Sequence, residues 1–212
     1  MGWRAAGIML ALLVAGSGAS GAQSGDVAEC FNVLSPRRIE ACTAVIENPA
    51  TEPMQRADAL AARGLAHRRK GDLAAAFADY DAALAINPRS ATVLNNRAWA
   101  HLKAGRLEKG MADVERSLAL RPGQPTSLDT RAHLEQALRR PEAALLDYRM
   151  VMLLGGPEWV RRYQCGLIER GRYKGPADGI ANEEFLAALS QCAHEVACDP
   201  LPGDEECRHG IS

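Results

Sequence analysis

The feature that most constrains the fold of this chain is a period of 34 residues between positions 57 and 158. Three blocks, 57–90, 91–124 and 125–158, align without a gap. Leucine recurs at the fourth position of each block, arginine at the seventh and aspartate at the twenty-third: Leu60, Leu94, Leu128; Arg63, Arg97, Arg131; Asp79, Asp113, Asp147. A period of this length is typical of solenoids, in which each repeat buries its apolar face only against its neighbours.

Each block predicts two helices joined by a turn, which gives an all-α fold. Small and apolar residues recur at helical spacing in both halves of every block. Gly71 and Gly105 predict the turn in the first two blocks, because glycine readily ends a helix. Pro88 and Pro122 end the second helices of those blocks. In the third block, Arg-Arg-Pro at residues 139–141 stands in place of the glycine turn.

The repeated arginine and aspartate allow a catalytic or ligand-binding interpretation and a structural one. Three copies at the same phase of the period favour the structural interpretation. In that interpretation each arginine bonds an aspartate on a neighbouring helix while its aliphatic stem packs between the helices.

The small and aromatic positions of the blocks resemble the tetratricopeptide repeat. Position 8 is small in every block, and position 24 is aromatic in the first and third: Gly64, Ala98, Ala132; Tyr80, Tyr148. Val114 in the second block and Gly156, where the family has proline, depart from the pattern. The resemblance implies a right-handed superhelical solenoid of three helix–turn–helix repeats over residues 57–158.

By the same resemblance, the first helix of each repeat lines a concave groove that binds a protein or peptide. The residues at the groove positions are Arg68, Arg69, Asn95, Trp99, Leu102, Lys103, Asp129, His133 and Gln136, and Asn96 borders the same face. Amides for backbone groups, one aromatic anchor and a few charges suit an extended peptide, although packing between helices is an alternative role for Trp99. The carboxylate clamp with which some family members hold acidic chain ends is not expected, since only Asn96 fits its pattern.

The N-terminus predicts export. Arg4 precedes an apolar run at residues 5–15, and the small residues "GSGASGA" follow at 16–22. This is the pattern of a secretory signal peptide, with cleavage after Ala22. The apolar run is shorter than the roughly 20 residues of a membrane span; an uncleaved anchor or a buried helix is the alternative. The mature chain is therefore expected in the periplasm or outside the cell, without a membrane span.

Residues 23–56 resemble half a repeat that caps the array. A helix is expected from about Arg37 to Glu47, followed by Asn48 and Pro49, as Asn87 and Pro88 close the first block. A terminal repeat element of this kind shields the end of the apolar core.

The cysteines predict disulfides at the two ends of the array: Cys30, Cys42, Cys165, Cys192, Cys198 and Cys207. All of them follow the predicted cleavage site, and their number is even, as in exported disulfide-bonded proteins. Closeness in sequence favours the pairs Cys30–Cys42, Cys165–Cys192 and Cys198–Cys207. A metal site is the alternative, but no CxxC pair occurs and the histidines are scattered, so no metal is expected.

The closing segment, residues 159–212, is rich in cysteine and predicts two further helices. The first spans 157–169 and ends before Gly171, and the second runs from Asn182 to Ala193. Residues 160–193 resemble the central part of a small helical peptidoglycan-binding domain, with matches at Gln164, Leu167, Gly171, Tyr173, Gly175, Asp178, Gly179, Ala188 and Leu189. Asn182 and Phe185 depart from the glycine and threonine of that family. The resemblance implies possible glycan binding at Tyr173 and Asp178. The alternative is a cap without a ligand, because such turn residues also fold a loop by themselves.

The sequence predicts a non-catalytic protein without a cofactor. It contains no nucleophile elbow, zinc-protease motif, phosphate loop or dinucleotide fingerprint. Loss of Arg4 with the leader leaves 24 of the 25 basic side chains against 26 acidic ones, which gives no reason to expect a nucleic-acid partner. The expected function is that of an adaptor that binds a protein or peptide. The alternatives are a cell-wall protein that binds peptidoglycan through residues 160–193 and an unrecognised hydrolase.

Overall fold

The computed structural model describes residues 24–202. The predicted signal peptide, residues 1–22, and the C-terminal tail with Cys207 lie outside them. Residues 24–202 form helices and turns without strands: α1 Ser24–Phe31, α2 Arg38–Glu47, α3 Pro53–Arg69, α4 Leu73–Ile86, α5 Ala91–Lys103, α6 Leu107–Leu120, α7 Pro125–Ala137, α8 Pro141–Glu169 and α9 Glu183–Ala193. The prediction of an all-α fold is confirmed.

The helices stack as hairpins in the predicted solenoid. α3 packs on α4, α5 on α6 and α7 on α8, while α4 contacts α5 and α6 contacts α7. The small and aromatic positions of the repeat explain the close packing, since Tyr80 is fully buried and a Cβ on Gly64 would lie 2.7 Å from its ring. The small and aromatic positions therefore recur in the repeat because these side chains must fit between the two helices of a hairpin.

The turns inside the three hairpins share one backbone conformation. Gly71 and Gly105 have φ values of 82° and 69°, and Arg139, at the same block position, has a φ of 60°. Glycine adopts this left-handed region freely, whereas a residue with a Cβ has a cost of about 1–2 kcal/mol there. The third turn keeps the geometry of the others in spite of its sequence, with some backbone strain.

The repeated arginine and aspartate form a ladder of ion pairs between the two helices of each hairpin. Two guanidinium nitrogens donate to the two carboxylate oxygens at 2.6–3.0 Å in every pair: Arg63–Asp79, Arg97–Asp113 and Arg131–Asp147. Arg63 also donates to Thr43 of α2, and Arg97 to Asp81 of α4, so these two arginines join neighbouring hairpins as well. The predicted structural role of the repeated pair is confirmed.

α1 and α2 cover the N-terminal end of the array. The helix expected from about residue 37 to residue 47 is α2, so this prediction is confirmed. The favoured pair Cys30–Cys42 is also present, with both residues buried and their Cα atoms 4.5 Å apart. A bridge over a short loop of this kind stabilises a fold by about 2–4 kcal/mol. It holds together a terminal element that has a neighbour on one side only.

The C-terminal helices share one core with the third repeat. α8 bends at Gly156, where φ is 70° and ψ is −162°, and its distal half, residues 157–169, ends before Gly171. Asn182 caps α9 as predicted, because its side-chain oxygen accepts a hydrogen bond from the Phe185 N–H at 2.8 Å. Leu167 and Phe185 belong to the same buried cluster as the side chains of the third hairpin.

The C-terminal cysteines pair differently from the pairing that closeness in sequence favours. Cys192 is bonded to Cys198, with Cα atoms 5.2 Å apart, so the predicted pairs Cys165–Cys192 and Cys198–Cys207 are wrong. The physical reason is the tight reversal after α9, where the Cys198 N–H donates to the Glu195 carbonyl at 2.9 Å. Cys165 is disulfide-bonded too.

Candidate functional site

A groove of about 750 Å3 lies along the side of the array that the first helices of the hairpins form. α3, α5 and α7 line it, together with the turn that leads into α4, with the distal half of α8 and Arg170 after it, and with residues 194–202, which we term the strap. The lining residues are Arg68, Arg69, Gly71, Leu73, Asn95, Asn96, Trp99, Lys103, Thr126, Asp129, Thr130, Trp159, Arg162, Arg170, Asp199, Leu201 and Pro202.

Two indoles in the groove each have a cation one helical turn away. Lys103 Nζ lies 4.9 Å from the centre of the Trp99 ring, and the Arg162 guanidinium lies 4.5 Å from the centre of the Trp159 ring. Trp99 also meets the His133 ring edge-on at 5.0 Å. Trp99 therefore fills both roles considered for it, since it packs against α7 and lines the groove.

Polar atoms without a hydrogen-bond partner in the described part of the chain include two buried ones that belong to groove residues. They are Asn95 Oδ1 and Arg162 Nε. A buried polar atom without a partner costs about 1–3 kcal/mol. Ligand groups that complete these two hydrogen bonds, a donor for Asn95 and an acceptor for Arg162, would bind favourably.

His133 lies under the groove and connects α7 to the strap. Its Nδ1 is 2.8 Å from the Asp129 backbone oxygen, and its Nε2 is 2.9 Å from Asp199 Oδ1. Since both oxygens can only accept, both ring nitrogens carry hydrogen and the imidazole is charged. Burial opposes this charge, but the carboxylates of Asp129 and Asp199 raise the pKa of His133 above its usual 6.5.

The two carboxylates beside His133 differ in environment. Burial raises the pKa of Asp129, whose Oδ1 accepts a hydrogen bond from the Tyr163 hydroxyl at 2.7 Å. Asp199 is also largely buried, yet His133 and Lys103 lower its pKa; Lys103 Nζ is 3.5 Å from Asp199 Oδ2. Asp199 is therefore an anion that ties the strap to α5 and α7.

The buried Gln136 side chain joins α7 to the strap and to the end of α9 through hydrogen bonds. Its Nε2 donates to the backbone oxygens of Cys192, Glu195 and Cys198 at 2.9, 2.8 and 2.5 Å. Its Oε1 accepts from the Tyr148 hydroxyl at 2.8 Å. The strap also lies directly on the distal half of α8, where a Cβ on Gly166 would be 2.1 Å from the Pro200 oxygen.

The structure brings most of the predicted groove residues together. Those that line the groove are Arg68, Arg69, Asn95, Asn96, Trp99, Lys103 and Asp129. His133 does not line it, because its ring is buried behind Trp99 and Asp199. Gln136 and Leu102 do not line it either, since Gln136 is buried against the strap and Leu102 packs against the core of the third repeat.

Sequence reasoning missed the groove residues that follow the third repeat: Trp159, Arg162, Arg170, Asp199, Leu201 and Pro202. One signal for the first three was present. Gly166 stands at the position of a fourth block that is small in the other three, which indicates that the distal half of α8 continues the array. The strap carries no such signal.

The two residues named for glycan binding hold the closing loop. Tyr173 is 2% exposed, and its hydroxyl oxygen accepts from Asn182 Nδ2 at 3.1 Å. Asp178 Oδ1 accepts from the Ile180 N–H at 2.9 Å and from Gln164 Nε2 at 3.1 Å, and these donors lower the pKa of Asp178. Glycan binding at these residues stays a prediction, but their observed contacts are those of a turn.

Comparison with known families identifies a repeat family over part of the array. Residues 64–105, from the middle of α3 through α5 to the turn after it, match the family model described as a TPR repeat. A search of the curated proteins found no significant match. Over residues 24–202 no helix is long and apolar enough to cross a membrane, and no three His, Cys, Asp or Glu side chains are grouped to hold a metal ion.

Proposed function

We propose that this chain is an exported, non-catalytic adaptor that binds a protein or peptide segment in its groove. The observation that carries the proposal is the groove itself, where three successive hairpins present indole, amide and charged groups along one channel. Such a mixture suits an extended peptide, whose backbone needs hydrogen-bond partners and whose side chains need anchors. TPR repeats generally mediate protein–protein interaction, and the match over residues 64–105 supports the same role here.

Export is supported by the signal-peptide pattern and by the cysteines. Among the described residues every cysteine is disulfide-bonded, as is usual in oxidising compartments. We expect the protein expressed in a bacterium to be recovered from the periplasm or medium with Gln23 as its first residue and without free thiols. Mass spectrometry with and without a thiol reagent measures both properties. A protein that keeps its leader and stays in the cytoplasm would contradict export.

Peptide binding can be measured with the protein's own tryptophans. Cleavage after Ala22 removes Trp3, so Trp99 and Trp159 are the indoles of the mature chain, and both line the groove. Peptides are first selected from a random display library on the oxidised mature protein. We expect the selected peptides to change the indole emission with saturation.

Two substitutions locate the binding site. Trp99→Ala should weaken binding of the selected peptides by tenfold or more, because anchors of this kind dominate binding energy. Phe31→Ala is the matched control, since Phe31 is a half-exposed aromatic residue on α1 outside the groove. Failure to select any peptide, or equal binding by the Trp99→Ala protein, would refute the proposed function.

The alternative function, peptidoglycan binding through residues 160–193, has less support because Tyr173 is buried and Asp178 holds the turn. Sedimentation of the protein with purified sacculi tests it. Sedimentation that is lost in Asp178→Asn and kept in Trp99→Ala would favour the alternative over the groove.

A further inference from the structure

We propose that the partner segment is acidic and apolar in alternation, so that the groove selects carboxylate side chains flanked by bulky apolar ones. This inference rests on the proposed function and names the partner's chemistry. Its first support is the distribution of charge. The whole chain is nearly balanced, with 25 basic and 26 acidic side chains, yet five cations and two carboxylates line the groove. The cations are Arg68, Arg69, Lys103, Arg162 and Arg170.

The two carboxylates of the groove do not cancel this positive charge. Asp129 accepts a hydrogen bond from Tyr163 and lies beside the His133 imidazolium, with Nδ1 and Oδ1 3.6 Å apart. Asp199 contacts the same imidazolium and Lys103. Five cations therefore line the groove against two carboxylates that His133 already faces, and this excess of positive charge raises the potential inside the groove.

The second support is the spacing of aromatic and cationic groups. Trp99 with Lys103 on α5, and Trp159 with Arg162 on α8, each place a cation about 5 Å from an indole. An apolar group of the ligand against the indole leaves an acidic group of the same ligand within reach of the cation. Two such pairs from different helices therefore favour a ligand in which the apolar and acidic features recur.

The atoms without partners point to the same ligand. Asn95 Oδ1 lacks a donor, and a backbone N–H of a peptide supplies one; Arg162 Nε lacks an acceptor, and a carboxylate supplies one. An anionic glycan supplies carboxylates and hydroxyls but no bulky apolar side chains for the two indoles. The combination of features thus favours a protein segment over a polysaccharide.

Three blocked octapeptides test this inference by titration of indole emission in the oxidised mature protein. The first alternates Glu with Leu, the second replaces each Glu by Lys, and the third replaces each Leu by Ser. We expect the Glu–Leu peptide to bind at least tenfold more tightly than either of the others. Its affinity should fall as salt is raised, because the groove charges are partly open to solvent.

A charge-neutralising pair of variants identifies the cation involved. Arg162→Gln should weaken the Glu–Leu peptide by about tenfold, the usual effect of one charge-assisted hydrogen bond. Arg149→Gln is the matched control, because Arg149 is an exposed arginine on α8 that does not line the groove. It should leave binding unchanged. Equal thermal melting of both variants and the parent would show that the fold is intact.

The possible failures are distinguishable. Equal or tighter binding of the Lys–Leu peptide, or no effect of Arg162→Gln, overturns the acidic preference while library-selected peptides can still uphold the groove function. Equal binding of the Glu–Ser peptide overturns the apolar half of the inference and indicates a general anion site, glycans included. Absence of any response to the octapeptides and to the selected peptides would overturn both proposals.

Discussion

The substitution Gln136→Ala should detach the strap from α7, and the contacts of this side chain allow the cost to be worked out. Two N–H groups of the amide serve three backbone oxygens, and its oxygen serves the Tyr148 hydroxyl. Each buried polar group left unpaired costs about 1–3 kcal/mol. Water that enters the space restores part of these bonds. We therefore expect the free energy of unfolding to fall by about 3 kcal/mol.

Urea unfolding of the oxidised mature protein, followed by circular dichroism and by indole emission, measures this loss. Gln191→Ala is the control, because Gln191 is exposed on α9 and its removal should cost less than about 0.5 kcal/mol. Alkylation of Cys198 during mild reduction adds a local readout, since a detached strap exposes that bridge. A loss below about 1 kcal/mol, or a reduction rate equal to that of the control, would refute the reasoning.

Three further predictions test the array and the charged cluster. Arg139→Gly should raise the free energy of unfolding by about 0.5–1 kcal/mol, because it relieves the left-handed strain at φ 60° at the expense of glycine's greater unfolded freedom; a lower melting temperature would contradict this. Asp113→Asn should lower the free energy of unfolding by about 2 kcal/mol, since it weakens a bidentate pair with a buried carboxylate. Asp81→Asn, which removes the exposed partner of the same Arg97, should cost less than about 1 kcal/mol. Equal effects of the two substitutions in urea titrations would be evidence against the ladder of ion pairs. Because the pKa of His133 is raised on folding, its charged ring stabilises the fold fully below the unfolded pKa of about 6.5, and this stabilisation is lost as the pH rises through the higher folded pKa. The free energy of unfolding should therefore fall more between about pH 6 and pH 9 in the parent than in His133→Asn. Identical curves of stability against pH would contradict the charged state that Asp129 and Asp199 impose.

The sequence predicts the parts of the fold whose residues recur at the 34-residue period. A contact between helices of one hairpin recurs three times at the same spacing, so Arg97 and Asp113 are visible as a pair before their geometry is known. The same holds for side chains of α5 and α7 that face the groove, because one position of the block identifies Asn95 and Asp129 together. Local signals of capping were equally reliable, as at Asn182.

The parts that sequence reasoning missed depend on contacts between distant residues that occur once. Gln136 meets backbone oxygens 56 to 62 residues away, and backbone oxygens have no sequence signature. The pairing of Cys192 with Cys198 depends on the reversal after α9, which closeness in sequence to Cys165 or Cys207 does not reveal. The position of His133 in its block predicts that it faces the groove. The strap, a segment outside the repeat, covers His133, so its side chain contacts the strap instead of lining the groove.

The strap also gives the site an order of assembly in time. Hairpins made of neighbouring residues can form while the chain is still emerging, because their contacts are local. The wall that Asp199, Leu201 and Pro202 supply comes from the last tenth of the described chain and follows the Cys192–Cys198 bridge directly. On this basis the groove is complete only after the strap has been made and the Cys192–Cys198 bridge has formed. A newly made chain then has its hairpins before the groove has all of its walls, and under the proposed function the partner binds only after that bridge has formed.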